Sequence, residues 1–278
     1  MNLNEELKVY HSRDLAQRKR WYASVANEYN QVRPTYPKAL IDRALAWAQL
    51  PAEARLLEVG CGPGNATVSF AKRDFSLVCL EPNWEFCQLA RQNCAQHPKV
   101  EILNTSFEEW PLELGRFDAV FAANSFHWIP PEVAYEKAAR SLHDAGWLML
   151  FWNMTPEPSE EVYPVLRPVY ERYAPTLAKY EGRETQQKIQ QDLGQMILNS
   201  GHFRDLLAYQ VPCEVTYCVE DYLMLLNTFS PYQRLAAEAK EALFRGLKEK
   251  IETHFDSTLQ FSYLSAFHLA RKRGNLGD

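Results

Sequence analysis

Leu56-Leu57-Glu58-Val59-Gly60-Cys61-Gly62-Pro63-Gly64-Asn65 runs an apolar strand straight into a turn with glycine at alternate positions. Glycine is needed where the chain turns sharply and must let a ligand approach without a Cβ in the way. A helix is predicted from Thr67, and its first turn offers N–H groups that no helical carbonyl can accept. The pattern departs from G-x-G-x-x-G, because Asn65 stands where a small residue would close the motif. That departure disfavours a dinucleotide pyrophosphate as the ligand.

Reading outward, Ser76–Leu80 is a second apolar strand, and Glu81 follows it directly. An acid there can accept both hydroxyls of a ribose diol. Taken alone, Glu81 is as well explained as the surface end of a strand. Within one βαβ unit beside the glycine turn, it points to a nucleoside.

The same alternation continues. Residues 100–103, 117–123 and 147–152 read as further strands, with Phe117–Ala123 apolar throughout, as a strand covered on both faces requires. Between them, Phe86, Leu89, Ala90 and Cys94 mark one helix face, and Pro130-Pro131 opens another helix that Gly146 is expected to cap. The fold class is therefore α/β: a Rossmann-like, mostly parallel seven-stranded sheet with helices on both faces, plus a helical cap. Beyond Asn153 the regularity stops. Pro156, Pro158, Pro164 and Pro168 predict a loop-rich crossing, with helices resuming near Thr185. Residues 211–217 and 258–269 read as the last strands, separated by a helix with Leu235, Ala239, Leu243, Leu247 and Ile251 on one stripe. The expected division is 1–153 for the N-terminal helices and cofactor-binding core, 154–205 for the cap, and 206–278 for the end of the core.

The 278 residues carry a net charge of −5, and Arg271-Lys272-Arg273 is the only short basic cluster. A nucleic-acid partner is not expected, since phosphates demand clustered Lys and Arg. The six cysteines form no C-x-x-C pair and suit reduced, mostly buried thiols. No signal peptide and no long apolar run is visible, so a soluble cytoplasmic protein, monomer or homodimer, is expected. No metal-ligand spacing is convincing. His143 reads as a helix-terminal turn, and His254 and His268 as helix and strand surfaces.

LLEVGCGPGNAT, LVCLEPN, SFEEWPL and FDAVFAANSFHW together resemble the class I S-adenosylmethionine-dependent methyltransferases with a type-11 domain. ANEYNQVRPTYP and SFHW are similar to the trans-aconitate methyltransferase-like small-molecule enzymes. The likeness is good from Trp21 to Asn153 and looser beyond. It implies S-adenosylmethionine as cofactor. Gly60, Cys61, Gly62 and Gly64 would pass the methionine part, Glu81 would hold the ribose, and Pro82 would wall the adenine. Ser106 and Phe107 sit where the family meets adenine, and Asn124 where it meets the methionine moiety. Tyr29 and Arg33 belong to a helix that the resemblance folds over the cofactor; ordinary packing explains them equally well. Glu58 would order the glycine loop or reach the cofactor's ammonium through water.

His127 and Trp128 follow the fourth strand, where the transferred methyl should point. His127 is the candidate base for a hydroxyl acceptor and Trp128 a wall of the acceptor pocket. A lone histidine more often packs than catalyses. Methyl transfer is one displacement, so alignment supplies most of the acceleration, and an ionised carboxylate acceptor needs no base. A small carboxylate or hydroxyl compound is therefore the expected acceptor. Two alternatives stay open: a protein that binds S-adenosylmethionine without turnover, and an NAD-dependent oxidoreductase.

Overall fold

The computed structural model describes residues 3–255 and 258–274, with side chains from Leu7 onward. Five strands pair in parallel in the order β3-β2-β1-β4-β5: β1 (Arg55–Val59), β2 (Ser76–Leu80), β3 (Val100–Leu103), β4 (Phe117–Ala123) and β5 (Leu142–Asn153). β6 (Glu157–Pro158) and β7 (Phe203–Cys218) both pair antiparallel with β8 (Thr258–Lys272), which lies antiparallel to β5. The sheet thus has eight strands, one more than expected, and the extra one is the two-residue β6.

Alternation along the strands sends side chains to two separate cores. Leu57, Val59, Val120, Leu148 and Leu150 face α7 (Pro131–Ser141) and α9 (Arg183–Asn199). Leu56, Leu77, Phe121, Met149 and Phe151 face α4 (Lys38–Ala48), α5 (Thr67–Ala71) and α6 (Trp84–Asn93). Strands covered on both faces have no room for polar alternation, which is why β4 is apolar almost end to end. Its exception, Asp118, accepts the Arg55 N–H at 2.8 Å and lies 2.8 Å from His143 Nε2, tying β4 to β1 and β5.

A third core is built mainly of helices, with Tyr217 of β7 and Leu259 and Phe261 of β8. Leu166, Val169 and Tyr170 of α8 (Tyr163–Tyr173) pack with Tyr222 and Leu225 of α10 (Val219–Asn227) and with Leu243, Leu247 and Ile251 of α12 (Ala237–His254). The 154–205 segment thus holds α8, which joins this helical layer, and α9, which packs on β7 and β8.

Several local expectations are corrected. The proline-rich stretch is largely helical: Pro164 falls in the first turn, where no N–H is needed, and the buried Leu166–Val169–Tyr170 face outweighs Pro168 inside the helix. Gly146 caps nothing. The helix ends at Ser141, Leu142 already pairs with Phe117, and Ala145 takes the left-handed conformation at φ 62°. β7 begins well before residue 211 and tolerates Pro212 because its outer edge is unpaired. His268 is buried, not on a surface, because β8 runs between β5 and β7; its Nδ1 accepts the Trp152 indole N–H at 3.0 Å. His254 is exposed, as expected. All six cysteines are free thiols, with Cys213 and Cys218 half-buried and the others buried.

Candidate functional site

The carboxyl ends of β1, β2, β4 and β5 open onto one cleft of about 1130 Å3. Crevices of this kind form where neighbouring strands send their connections to opposite faces of the sheet. Here β1 is that point, with β2 on one side and β4 on the other.

The glycine turn forms one wall. After Val59 the Gly60 and Cys61 N–H groups donate to the Leu80 carbonyl at 2.8 and 3.0 Å, laying the turn across the end of β2. Gly60 has φ +70° and Gly62 φ +56°, conformations that side chains resist. Nothing lies within 4 Å of the position a Gly62 Cβ would take, so the turn leaves space on its cleft side. The Gly62 N–H donates to Glu81 Oε2 at 2.8 Å, and the Asn83 N–H donates to Oε1 at 2.8 Å. The two signals found apart in the sequence are therefore bonded to each other. Burial pushes the Glu81 carboxyl up to about 7, against the pull of those two N–H groups.

Glu58 and Gly64 stand behind this wall and do not line the cleft. Glu58 is fully buried; its Oε2 accepts the Thr67 hydroxyl at 2.6 Å, while Oε1 has no partner. Burial raises its carboxyl to about 7, offset in part by Thr67. It links β1 to the first residue of α5. Gly64, at φ +95°, turns the chain towards α5 and faces Cys94.

Pro82, Ser106 and Phe107 line the cleft beside Glu81. The Ser106 hydroxyl accepts the Glu109 N–H at 3.2 Å and donates to its carboxylate at 3.0 Å, fixing the turn after β3. On the opposite side, Asn124 sits at φ 53° and exchanges two hydrogen bonds with the Asn153 backbone: Nδ2 donates at 2.8 Å, and Oδ1 accepts at 3.0 Å. Asn153 in turn donates to the Pro34 carbonyl at 3.0 Å. Asn153 escaped notice in the sequence, although it ends β5 and Asn124 directly follows β4.

The N-terminal segment lies across the opening. From α2 (Leu15–Arg20), Arg18 donates to the Trp128 carbonyl at 2.7 Å and pairs with Glu108 at 2.7 Å, while Lys19 pairs with Glu109. Tyr10, from α1 (Leu3–His11), stacks on Trp128 at 4.1 Å. Tyr29, in α3 (Ala26–Val32), meets Phe86 at 5.1 Å. Arg33 lies over the Tyr29 and Phe229 rings at 4.7 and 3.8 Å, and its Nε and Nη2 donate to Thr228. Arg33 thereby joins this segment to the helical layer.

A second cavity of about 1330 Å3 adjoins the first, and Tyr29, Arg33, Asn124 and Trp128 border both. Of these two, His127 lines the second and not the first. Burial lowers its imidazole to about 4, with His11 adding to the effect, and its Nδ1 has no hydrogen-bond partner. Glu157, Glu181 and Tyr232 line the second cavity too, brought there from β6, the α9 approach and the segment after α10. The arginines of α8 do not take part. Arg167 pairs with Glu171 on the surface, and Arg172 lies over Tyr173. Among the described residues, no group of three or more His, Cys, Asp or Glu is placed to hold a metal ion, and no helix is long and apolar enough to cross a membrane.

Residues 56–146 match a protein family described as a methyltransferase domain. An uncharacterized methyltransferase of Mycobacterium tuberculosis is 34% identical over 136 residues, covering 49% of this chain and 53% of that protein. The chain thus spans about half the length of that relative. An uncharacterized methyltransferase of Schizosaccharomyces pombe is 25% identical over 227 residues, covering 81% of this chain and 85% of that protein. Among solved structures, a phosphoethanolamine N-methyltransferase 2 of Haemonchus contortus, in complex with S-adenosyl-L-methionine, superimposes with a TM-score of 0.51. That likeness has 14% identity, covers 94% of this chain and 59% of the other, and shows a common fold.

Proposed function

We propose that this chain is a class I S-adenosylmethionine-dependent methyltransferase that transfers a methyl group from that cofactor to a small molecule held in the second cavity. The observation that carries this reading is the 2.8 Å bond from the Gly62 N–H to Glu81. It joins a turn open enough for a ligand to an acid with the geometry for a diol, at the carboxyl edge of a parallel sheet.

The residues suit the cofactor. The uncrowded cleft side of Gly62 is where a side chain would intrude, and Glu81, buried yet beside the cleft, can accept hydroxyl hydrogens. Glu81 would hold the ribose, Pro82, Ser106 and Phe107 the adenine, and Gly60, Cys61, Gly62 and Asn124 the methionine part. Tyr29 and Arg33 would close over it. Glu58 and Gly64 would act from behind, by holding the turn in shape. Bound there, S-adenosylmethionine supplies a methyl group activated by a sulfonium.

The protein's own task is then alignment and exclusion of water. Tyr29, Asn124 and Trp128, bordering both cavities, would guide the nucleophile towards the methyl. His127 remains neutral near pH 7 because its imidazole is lowered to about 4. A base that weak is a poor store for a full proton, and its role is to accept a hydrogen bond from a hydroxyl and orient it. Arg167 and Arg172 lie off the cavity, so neither is placed to pair with a carboxylate acceptor. A hydroxyl acceptor keeps its support.

Calorimetric titration with S-adenosylmethionine and S-adenosylhomocysteine tests the reading, beside Gly62→Arg and Glu81→Ala. Micromolar binding lost in both folded variants is expected. No binding of either nucleoside to the folded protein would sink it. Tight binding without methyl transfer to any acceptor would favour a silent binding protein, and binding of NADH instead would favour the oxidoreductase.

A further inference from the structure

Trp152, on the wall of the second cavity, is held from behind by a buried polar group. Its indole N–H donates to His268 Nδ1 at 3.0 Å, and His268 is only 3% exposed, between Phe267 and Leu269 of β8. We propose, on the methyltransferase reading above, that the acceptor carries a flat aromatic ring, which lies against the Trp152 indole while its hydroxyl meets His127. His268 is then the positioning residue for that indole.

Three observations converge on this assignment. The first is the room made for the imidazole behind Trp152. Burial lowers His268 to about 4, against the pull of the Gln190 backbone, so the ring is neutral near pH 7. A neutral ring whose Nδ1 accepts carries its proton on Nε2, which the Gln190 backbone engages from α9. A Cβ on Gly194, within α9, would lie 3.0 Å from that Nε2. Glycine in a helix interior is unfavourable in itself, and what it admits here is the group that fixes the indole.

The second is a row of rings. The His127 centroid lies 5.7 Å from Trp152 and 6.0 Å from Trp128, tilted by 41° to each. Trp128 is fixed in turn by Tyr10, stacked on it at 4.1 Å. All four border the second cavity and Trp128 borders the cofactor cleft as well, so the row runs inward from the side of the methyl donor. Rings already held in place cost little entropy on binding, and aromatic partners gain beyond the area they bury. The third is the buried Nδ1 of the neutral His127, which has no hydrogen-bond partner among the described residues. An acceptor hydroxyl would donate to it.

The charged groups of the cavity stand apart from this row. Two of the Arg33 donors are committed to Thr228 while its plane is covered by Phe229 and Tyr29. Glu157, Glu181 and Lys179 line the second cavity and not the cofactor cleft, and none of the ring contacts involves them. A saturated acceptor of the same length would occupy the volume without the ring contact, so flatness is what the row selects.

The test uses the full chain loaded with S-adenosylhomocysteine and a matched pair of probes, 2-phenylethanol and 2-cyclohexylethanol. They share the hydroxyl and the chain that carries it, and differ in whether the ring is flat. The saturated alcohol is the more hydrophobic, so burial alone would favour it. 2-Phenylethanol is expected to bind about fivefold more tightly, within what aromatic pairs contribute beyond buried area. Trp152→Leu should erase most of that preference and His268→Leu part of it, both with the affinity for S-adenosylhomocysteine unchanged. His268→Gln, whose amide oxygen can accept the indole N–H, should keep the preference near that of the parent. The assignment is overturned if the saturated alcohol binds as well as the aromatic one, or if the preference survives Trp152→Leu. Should Trp152→Leu not fold, the His268 variants decide, and equal preference in both overturns it. It is also overturned if 2-phenylethanol and 2-naphthol both fail to bind the loaded protein. Failure of the parent to load S-adenosylhomocysteine at all would strike the methyltransferase reading instead, so the two failures separate.

Discussion

A Cβ placed on Gly60 would lie 2.6 Å from the Cβ of Ser125, which stands two residues past β4 and donates its hydroxyl to the Val59 carbonyl. The glycine turn and the end of β4 are therefore in mutual contact, and the turn's shape depends on both. Gly60→Ala adds a steric clash to the strain of φ +70°. The left-handed conformation alone costs a non-glycine residue about 1–2 kcal/mol. The variant should unfold several degrees earlier and bind S-adenosylhomocysteine at least tenfold more weakly. Pairing it with Ser125→Gly removes the clash and not the strain, so recovery should be partial. Thermal melts and calorimetry on the four members of this cycle check it; a Gly60→Ala protein that binds like the parent would contradict the contact.

Glu81 gives the binding step a pH dependence of known sign. Its carboxyl is raised to about 7 in the free protein, so the free protein holds that proton up to near neutrality. Hydroxyl donors favour the ionised form, so ligand binding expels the proton. Affinity for S-adenosylhomocysteine should rise as pH climbs from 6 towards 8, by up to tenfold per unit below 7, and then level off. Calorimetry in buffers of different ionisation enthalpy should detect proton release near pH 6.5. Glu81→Gln should bind weakly with a flattened profile. Glu58, also raised to about 7, is the control: if the profile persists in Glu81→Gln and vanishes in Glu58→Gln, the assignment moves to Glu58.

The parts of this site that the sequence made legible are those fixed by local chain geometry. Gly60, Gly62 and Glu81 announce themselves because a tight turn and a strand end constrain which residues can stand there. The apolar run of β4 does so because no other covered strand composition folds. The second cavity was opaque for the opposite reason. Its walls come from His127, Glu157, Glu181 and Tyr232, far apart in the chain and brought together by the packing of α8, α10 and α12. Pro168 misled in the same way, because the remote partner that stabilises α8 leaves no trace near the proline. His268 looked like a surface residue because the placement of β8 between β5 and β7 is a property of topology, not of its neighbours in sequence.

The N-terminal segment should control how long the cofactor product stays bound. Arg18 is mostly buried, with a side chain 12% exposed, and joins Glu108 and the Trp128 carbonyl across the cleft opening. Removing one partner of a buried pair costs far more than removing one of a surface pair, because the other charge is left uncompensated. Arg18→Ala should speed S-adenosylhomocysteine release by about tenfold, equal to about 1.4 kcal/mol. Glu108→Gln should produce a smaller change in the same direction, because the carbonyl contact survives. Stopped-flow displacement measures this directly. Equal release rates in parent and Arg18→Ala would mean that the segment does not gate the cleft.

Gly246 offers a test in which two familiar effects oppose each other. In an exposed helix, glycine to alanine stabilises by about 1 kcal/mol. Gly246, however, lies within α12 where that helix meets α8, and a Cβ there would come 2.7 Å from Val169 Cγ1. Overpacking of a close contact costs about 1–3 kcal/mol, so the clash should outweigh the propensity gain and Gly246→Ala should destabilise the protein. Val169→Ala removes the clashing methyl groups at the cost of a small cavity, and adding it should return much of the loss. The double variant should then melt above Gly246→Ala alone. A single Gly246→Ala protein more stable than the parent would mean that α8 and α12 shift apart readily.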